Sequence, residues 1–250
     1  MEILRIGDRA EAADVAREIG SAFFEMDRLD RFVTHSLADL SLPVDVRCDR
    51  LREGTLPARE VSIWSAVDGR GARIGGMTLH RYRWERLREQ RYLERWMQGG
   101  VPMLRVTTIG ELIAARCAEV DAIAGAVELA YYVVEERHRG HGVGRAMFDE
   151  FVRDGMARAK GDPTVLLTIV LGRYARFAHG HVLMDALDGH PDGRPVSELI
   201  AEIGGPDDLF GSDPGAEATV HLASSSGFEP LGYSKSLGQV WAKVVYPAGR

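Results

Sequence analysis

Residues 127–152 read VELAYYVVEERHRGHGVGRAMFDEFV. Eight positions dominated by aliphatic and aromatic side chains run into Gly140, Gly142 and Gly144, with Arg139 and Arg145 on either side, and then into a helix-like pattern. The spacing predicts a strand over 127–134, a tight turn and a helix over 143–160, which GDP then stops. A turn of this kind, opening a helix, aims several backbone N–H groups in one direction at the positive end of the helix dipole, and so suits a phosphate. Glycine serves there because a Cβ would block close approach of the backbone and disfavour the φ angles of the turn. The plain alternative is a turn that only packs helix against strand.

Two phosphate-loop patterns fail. A P-loop needs Lys and then Ser or Thr after its last glycine, whereas Gly144 is followed by Arg145 and Ala146. A dinucleotide fingerprint counted from Gly140 meets Arg145 at its third glycine, and TIVLGR at the end of the next strand lacks the ribose-binding acid.

A third pattern fits. Arg139, Gly142 and Gly144 meet the Arg/Gln-x-x-Gly-x-Gly/Ala signature of the GNAT superfamily of N-acetyltransferases, and VELAYYVVEERHRGHGVGRAMF resembles that family's fourth strand, pyrophosphate loop and following helix without a gap. ARIGGMTL resembles its third strand, TVLLTIVL its fifth, and LASSSGFEPLGYSKSLGQVWAKVV its closing helix, Gly-Phe-Glu turn and final hairpin. The likeness covers about half of the chain. It implies an α/β (α+β) GNAT fold with a mixed central sheet of about six to seven strands flanked by helices. The expectation is one acyltransferase domain over 1–250 with two helical insertions, about 83–126 and 172–212.

The resemblance further implies acetyl-CoA or another acyl-CoA as co-substrate. Its pyrophosphate would lie on Arg139, Gly140, His141, Gly142, Val143, Gly144 and Arg145, and its pantetheine arm along Tyr132, Val133 and Val134. It implies direct transfer of the acyl group to an amine, with a backbone N–H near Tyr132 or Val133 for the developing oxyanion. Glu128 stands where many members carry a catalytic glutamate, and an acid between Val127 and Leu129 suits a cleft better than a core; the alternative is a solvated, edge-facing glutamate. The family's usual general acid, a tyrosine in the last helix, is replaced by Leu222 and Ala223. Tyr174 is the candidate substitute, with His179 and His181 behind it; Ser224, Ser225 and Ser226 are poor acids that finish a helix. HGH has no third ligand at sensible spacing, so no metal is expected.

The rest of the chain reads as ordinary globular sequence. Hydrophobic residues make up 45% and charged residues 27% of 250, close to average usage. A formal charge of −6 opposes indiscriminate nucleic-acid binding. Cys48 and Cys117 lie far apart, which suits a reducing compartment. The start lacks a signal-peptide core and no run reaches about 18 apolar residues, so a cytoplasmic protein without membrane contact is expected. The segments 61–67 and 73–82 read as a hairpin around DGRGA. RYRWERLREQRYLERW, with six arginines in 81–96, reads as a helix without a single apolar stripe.

Acceptor choice is expected to lie in the insertions, with a small-molecule primary amine as the leading partner. The arginine-rich segment motivates an alternative donor held on an acyl carrier protein or an aminoacyl-tRNA. The missing tyrosine motivates a second alternative, a non-catalytic CoA-binding module. The expected state is a monomer or homodimer.

Overall fold

The computed structural model describes residues 1–21, 60–159, 162–170, 177–206, 209–210 and 216–247. In chain order the elements are β1 (Glu2–Arg5), α1 (Arg9–Ser21), β2 (Glu60–Val67), β3 (Arg73–Arg83), α2 (Trp84–Leu87), β4 (Arg91–Gln98), β5 (Val101–Thr108), α3 (Ile109–Ala114) and β6 (Gly125–Val134). Then come α4 (Val143–Arg158), β7 (Thr164–Val170), α5 (Phe177–Ala186), β8 (Arg194–Pro195), α6 (Val196–Ile203), α7 (Glu217–Ser225), β9 (Glu229–Tyr233) and β10 (Gln239–Val245). Helices and strands mix as the α/β expectation requires, and the strands number ten among the described residues. No described helix is long and apolar enough to cross a membrane. Contacts group the chain into two compact units: Met1–Trp84 with Ala124–Leu166 and Val245–Arg250, and Glu85–Ile123 with Leu167–Val244.

In the first unit β1, β2, β3 and β6 follow one another as antiparallel neighbours. β2 and β3 are long, β-rich runs joined at Asp68, whose carboxylate accepts from the Arg70 and Ala72 amides at 2.8 and 2.9 Å, an Asx turn of the kind DGRGA predicts. Adjacent glycines show how the faces are covered. A Cβ on Gly76 would meet Val15 and Ile19 of α1, and one on Gly75 would meet Met147 of α4, so the two helices flank opposite faces. On the α1 side Ala12, Val15, Ala16 and Ile19 bury against Ile63, each larger aliphatic contributing about 1.5–3 kcal/mol. On the α4 side Phe148 and Phe151 stack edge-on at 5.5 Å, and Arg81 is buried between Glu60 and Asp154, the latter at 2.7 Å.

The second unit corrects the sequence reading of the arginine-rich segment. Only Trp84–Leu87 is helical; Arg91–Gln98 and Val101–Thr108 form an antiparallel hairpin. The reason lies in Gly99 and Gly100, with φ of 56° and 85°, the paired left-handed residues of a type I′ hairpin turn. In period 2, Leu93 and Leu104 become fully buried, and Glu94 faces Arg105 across the strands with an ion pair at 2.7 Å. β4 also pairs with β9, and β5 with β8. Leu183 and Met184 of α5, Leu187 just beyond it, and Val196 and Leu199 of α6 pack on the same core. Within 172–212, Phe177–Ala186 and Val196–Ile203 are helical, forming α5 and α6. In the sequence Asp213 suits an N-cap and Pro214 the first position of a helix that Gly227 follows; Asp213 and Pro214 lie outside the described residues, and Gly227, with φ 77°, ends α7.

Asp154 and Arg81 are both almost inaccessible, so removing the carboxylate leaves a buried cation with only the half-exposed Glu60 to pair it. Asp154→Ala is expected to destabilise the first unit by about 3 kcal/mol, read as a lower urea midpoint at unchanged slope.

Candidate active site

The glycine turn forms as its sequence requires. A single 3₁₀ turn over Glu136–His138 leads into Arg139, and Gly140 and Gly142 take φ of 76° and 82°. Gly142 caps α4 in the left-handed conformation, with no side chain hydrogen-bonded to the helix start, and its carbonyl accepts from Ala146 N at 3.0 Å. The amides of the first turn have no acceptor within the helix by construction. Ideal Cβ atoms at Gly140 and Gly142 would enter open space, so the glycines are required by φ rather than by crowding inside the protein. His141 Nδ1 lies 2.9 Å from the Arg139 carbonyl, and Arg139 Nε donates to the Val134 carbonyl at 3.1 Å, which ties the turn back to the end of β6. An uncapped helix start with open ground above two left-handed glycines fits a pyrophosphate.

β6 carries an irregularity. Thr78 pairs with Tyr131 and Leu79 with Leu129, which leaves Ala130 as an extra residue. This β-bulge rotates the strand by one position. Cross-strand partners share a face, so Glu128, opposite His80, stands with Tyr131 and Val133 on the α1 side. Without the bulge Glu128 would share its face with Tyr132. Tyr132 and Val134 pair with Met77 and Gly75 and so belong to the α4 face.

Four titratable side chains meet beside the bulge. Tyr82 OH donates to Glu128 Oε2 at 2.7 Å and lies 3.4 Å from His80 Nδ1. The His80 ring is edge-on to Tyr82 and to Tyr131, with centroids 6.4 and 6.3 Å away. Desolvation raises the Glu128 carboxyl above its ordinary value, partly offset by the Tyr82 hydrogen bond. Burial pushes His80 down to about 4, and burial with the nearby Glu128 charge pushes Tyr131 up to about 12. Two of the neighbours are therefore held neutral, and Glu128 is the member whose proton exchange is drawn toward neutral pH. His80, Tyr82 and Tyr131 were not singled out by sequence reasoning; the signal was the two-residue spacing of His80 and Tyr82 in TLHRY, which puts both on one strand face.

The remaining candidates separate. Tyr174 lies outside the described residues. His179 and His181 are on α5 in the second unit, and no group of three or more potential metal ligands occurs among the described residues. In α7, Ala223 is buried, and Ser224 and Ser225 donate to the carbonyls of His221 and Leu222, both at 3.2 Å; those two serines cap the helix end, as the sequence suggested.

No family model matches the chain, and no curated protein matches it. Solved structures do. NAA60 of Arabidopsis thaliana in complex with acetyl-CoA is similar at 12% identity over 99% of this chain and 100% of its own, with a TM-score of 0.43. A histone acetyltransferase HPA2 and related acetyltransferase from Corynebacterium glutamicum is similar at 14% identity over 99% and 97%, with a TM-score of 0.41. A spermidine N-acetyltransferase SpeG chimera from Vibrio cholerae is similar at 9% over 98% and 95%, with a TM-score of 0.38.

His80 supplies a stability test. Its folded value of about 4 lies below the ordinary 6.5, so the stability it contributes is present above pH 6.5 and is lost as pH falls toward 4. Partial exposure holds the loss to about 2 kcal/mol. His80→Phe is expected to flatten urea-unfolding stability across that interval. Strand, glycine turn and helix stand in the first unit in the order that the resemblance to the GNAT superfamily implies.

Proposed function

We propose that the protein is an N-acyltransferase that moves an acetyl or other acyl group from acyl-CoA directly to a primary amine of a small molecule. The observation that carries this reading is the pair of left-handed glycines, Gly140 and Gly142, opening onto free space at the uncapped start of α4, one turn beyond the strand that bears Glu128. Bound acyl-CoA supplies an activated thioester carbonyl. The backbone of 139–145 holds the pyrophosphate, with the Arg139 and Arg145 side chains adding positive charge, and Tyr132, Val133 and Val134 line the pantetheine arm. A backbone N–H at Tyr132 or Val133 donates to the carbonyl oxygen as charge develops there.

The acceptor must present a neutral amine. Glu128 takes its proton, directly or through one water, as the N–C bond forms and the C–S bond breaks; the released thiolate takes up a proton from solvent. A raised Glu128 suits this task, because a base titrating closer to the working pH combines availability with proton affinity. The carrier-bound donor loses its motive. Arg81, Arg88 and Arg91 pair with Asp154, Asp121 and Asp188, and Arg95 lies over the Phe210 ring at 5.4 Å, so the arginines of 81–96 are largely engaged within the chain. The acceptor amine, a single acyltransferase domain and a cytoplasmic setting complete the proposal.

Calorimetric titration with acetyl-CoA and CoA tests the donor site. Saturable binding by the wild type, lost in a folded Gly142→Glu variant, is the expected result, and a folded wild type that binds neither ligand overturns the reading. For the base, Glu128→Gln is expected to lower kcat/KM by about 10²-fold or more and to abolish the acid limb. In the wild type kcat/KM climbs with pH as Glu128 ionises, above the ordinary carboxylate range.

A further inference from the structure

We propose that Tyr82 is a positioning residue for Glu128, its hydroxyl holding Oε2 so that Oε1 is left to meet the proton of the acceptor amine or its water. This inference rests on Glu128 acting as the base. It starts from register. His80 is directly opposite Glu128, while Tyr82 is opposite Ala126. A methyl at position 126 leaves room for the Tyr82 ring to lean along the diagonal between strands, a reach aromatic side chains make, and the result is the 2.7 Å hydrogen bond to Oε2.

That bond has a direction. Glu128 when ionised is an acceptor only, so Tyr82 donates, and a donor to a carboxylate favours its charged form. Burial works the other way and outweighs it. Tyr82 therefore sets how far desolvation drives Glu128 upward, and it fixes which oxygen is occupied. His80 Nδ1, 3.4 Å from the Tyr82 oxygen, faces the hydroxyl from behind without adding charge. The described titratable groups facing Glu128 are then Tyr82 and His80 from β3 and Tyr131 from β6, while β2 offers the aliphatic Val61 opposite His80.

A role confined to packing would leave the proton affinity of Glu128 unchanged when the Tyr82 oxygen alone is removed. The test is a carbon-detected titration of the glutamate side-chain carboxyls in the wild type and in Tyr82→Phe, with Glu128→Gln supplying the assignment by loss of one resonance. The expected outcome is an upward move of the Glu128 midpoint in Tyr82→Phe, proton binding tightening about tenfold, with CoA affinity by calorimetry within about twofold of wild type. An unmoved or lowered midpoint in a folded variant overturns the positioning role. The base assignment fails separately: amine acylation from acetyl-CoA at wild-type rate in Glu128→Gln would remove Glu128 from the chemistry while leaving the midpoint comparison to be read on its own. With the base intact, Tyr82→Phe is expected to displace the acid limb of kcat/KM in the same direction as the titration, with KM for acetyl-CoA unchanged.

Discussion

The antiparallel ladder between β3 and β6, interrupted once at Ala130, is the constraint from which the candidate site follows. Side chains alternate across a strand, so one extra residue exchanges the faces for everything beyond it. The bulge thereby places Tyr131 with Glu128 and His80 and sends Tyr132 to the α4 side. The same strand then ends in the glycine turn, so the spacing between the Glu128 carboxylate and the open start of α4 is fixed by one continuous, hydrogen-bonded element. Rigid strands position such groups more closely than loops do.

Desolvation supplies the chemistry that position alone does not. A glutamate on an open strand face would titrate as in water. Beside His80, Tyr82 and Tyr131 it is drawn upward, and burial holds His80 and Tyr131 in the uncharged form. The cluster thus contains one carboxyl raised above its ordinary value, flanked by dipoles. A second carboxylate there would divide the proton between two sites, and a cation would pull Glu128 down.

The second unit shows the opposite use of charge. Arg88, ahead of the hairpin, and Arg91 and Arg105 on it are met by Asp121, Asp188 and Glu94, pairs that in water contribute little each but leave the segment without a concentrated cationic face. Its stability comes from Leu93 and Leu104 packed against α5 and α6. An arginine-rich, aromatic stretch looks like a binding surface in one dimension; folded, it is half core and half solvated ion pairs.

Much of this was legible in the sequence. The hairpin 61–82, β6, the glycine turn, α4, β7 and the closing hairpin fall within a few residues of where pattern and punctuation put them, because each is governed by local rules: period, turn chemistry and left-handed glycines. Glu128 was legible as an acid in an apolar strand. The β4–β5 hairpin was misread although Gly99–Gly100 marked it, since the abundance of Arg, Glu and Leu outweighed the turn signal in a helix-period reading. Tyr82, His80 and Tyr131 could not be joined to Glu128 from sequence, for their meeting depends on cross-strand register and on a bulge at Ala130 that no local signal announces. The sequence by itself determined the strand–glycine–helix device, since backbone sterics act within a few residues; only the tertiary structure decided which side chains surround the carboxylate, because strand register is set by burial of a whole sheet face.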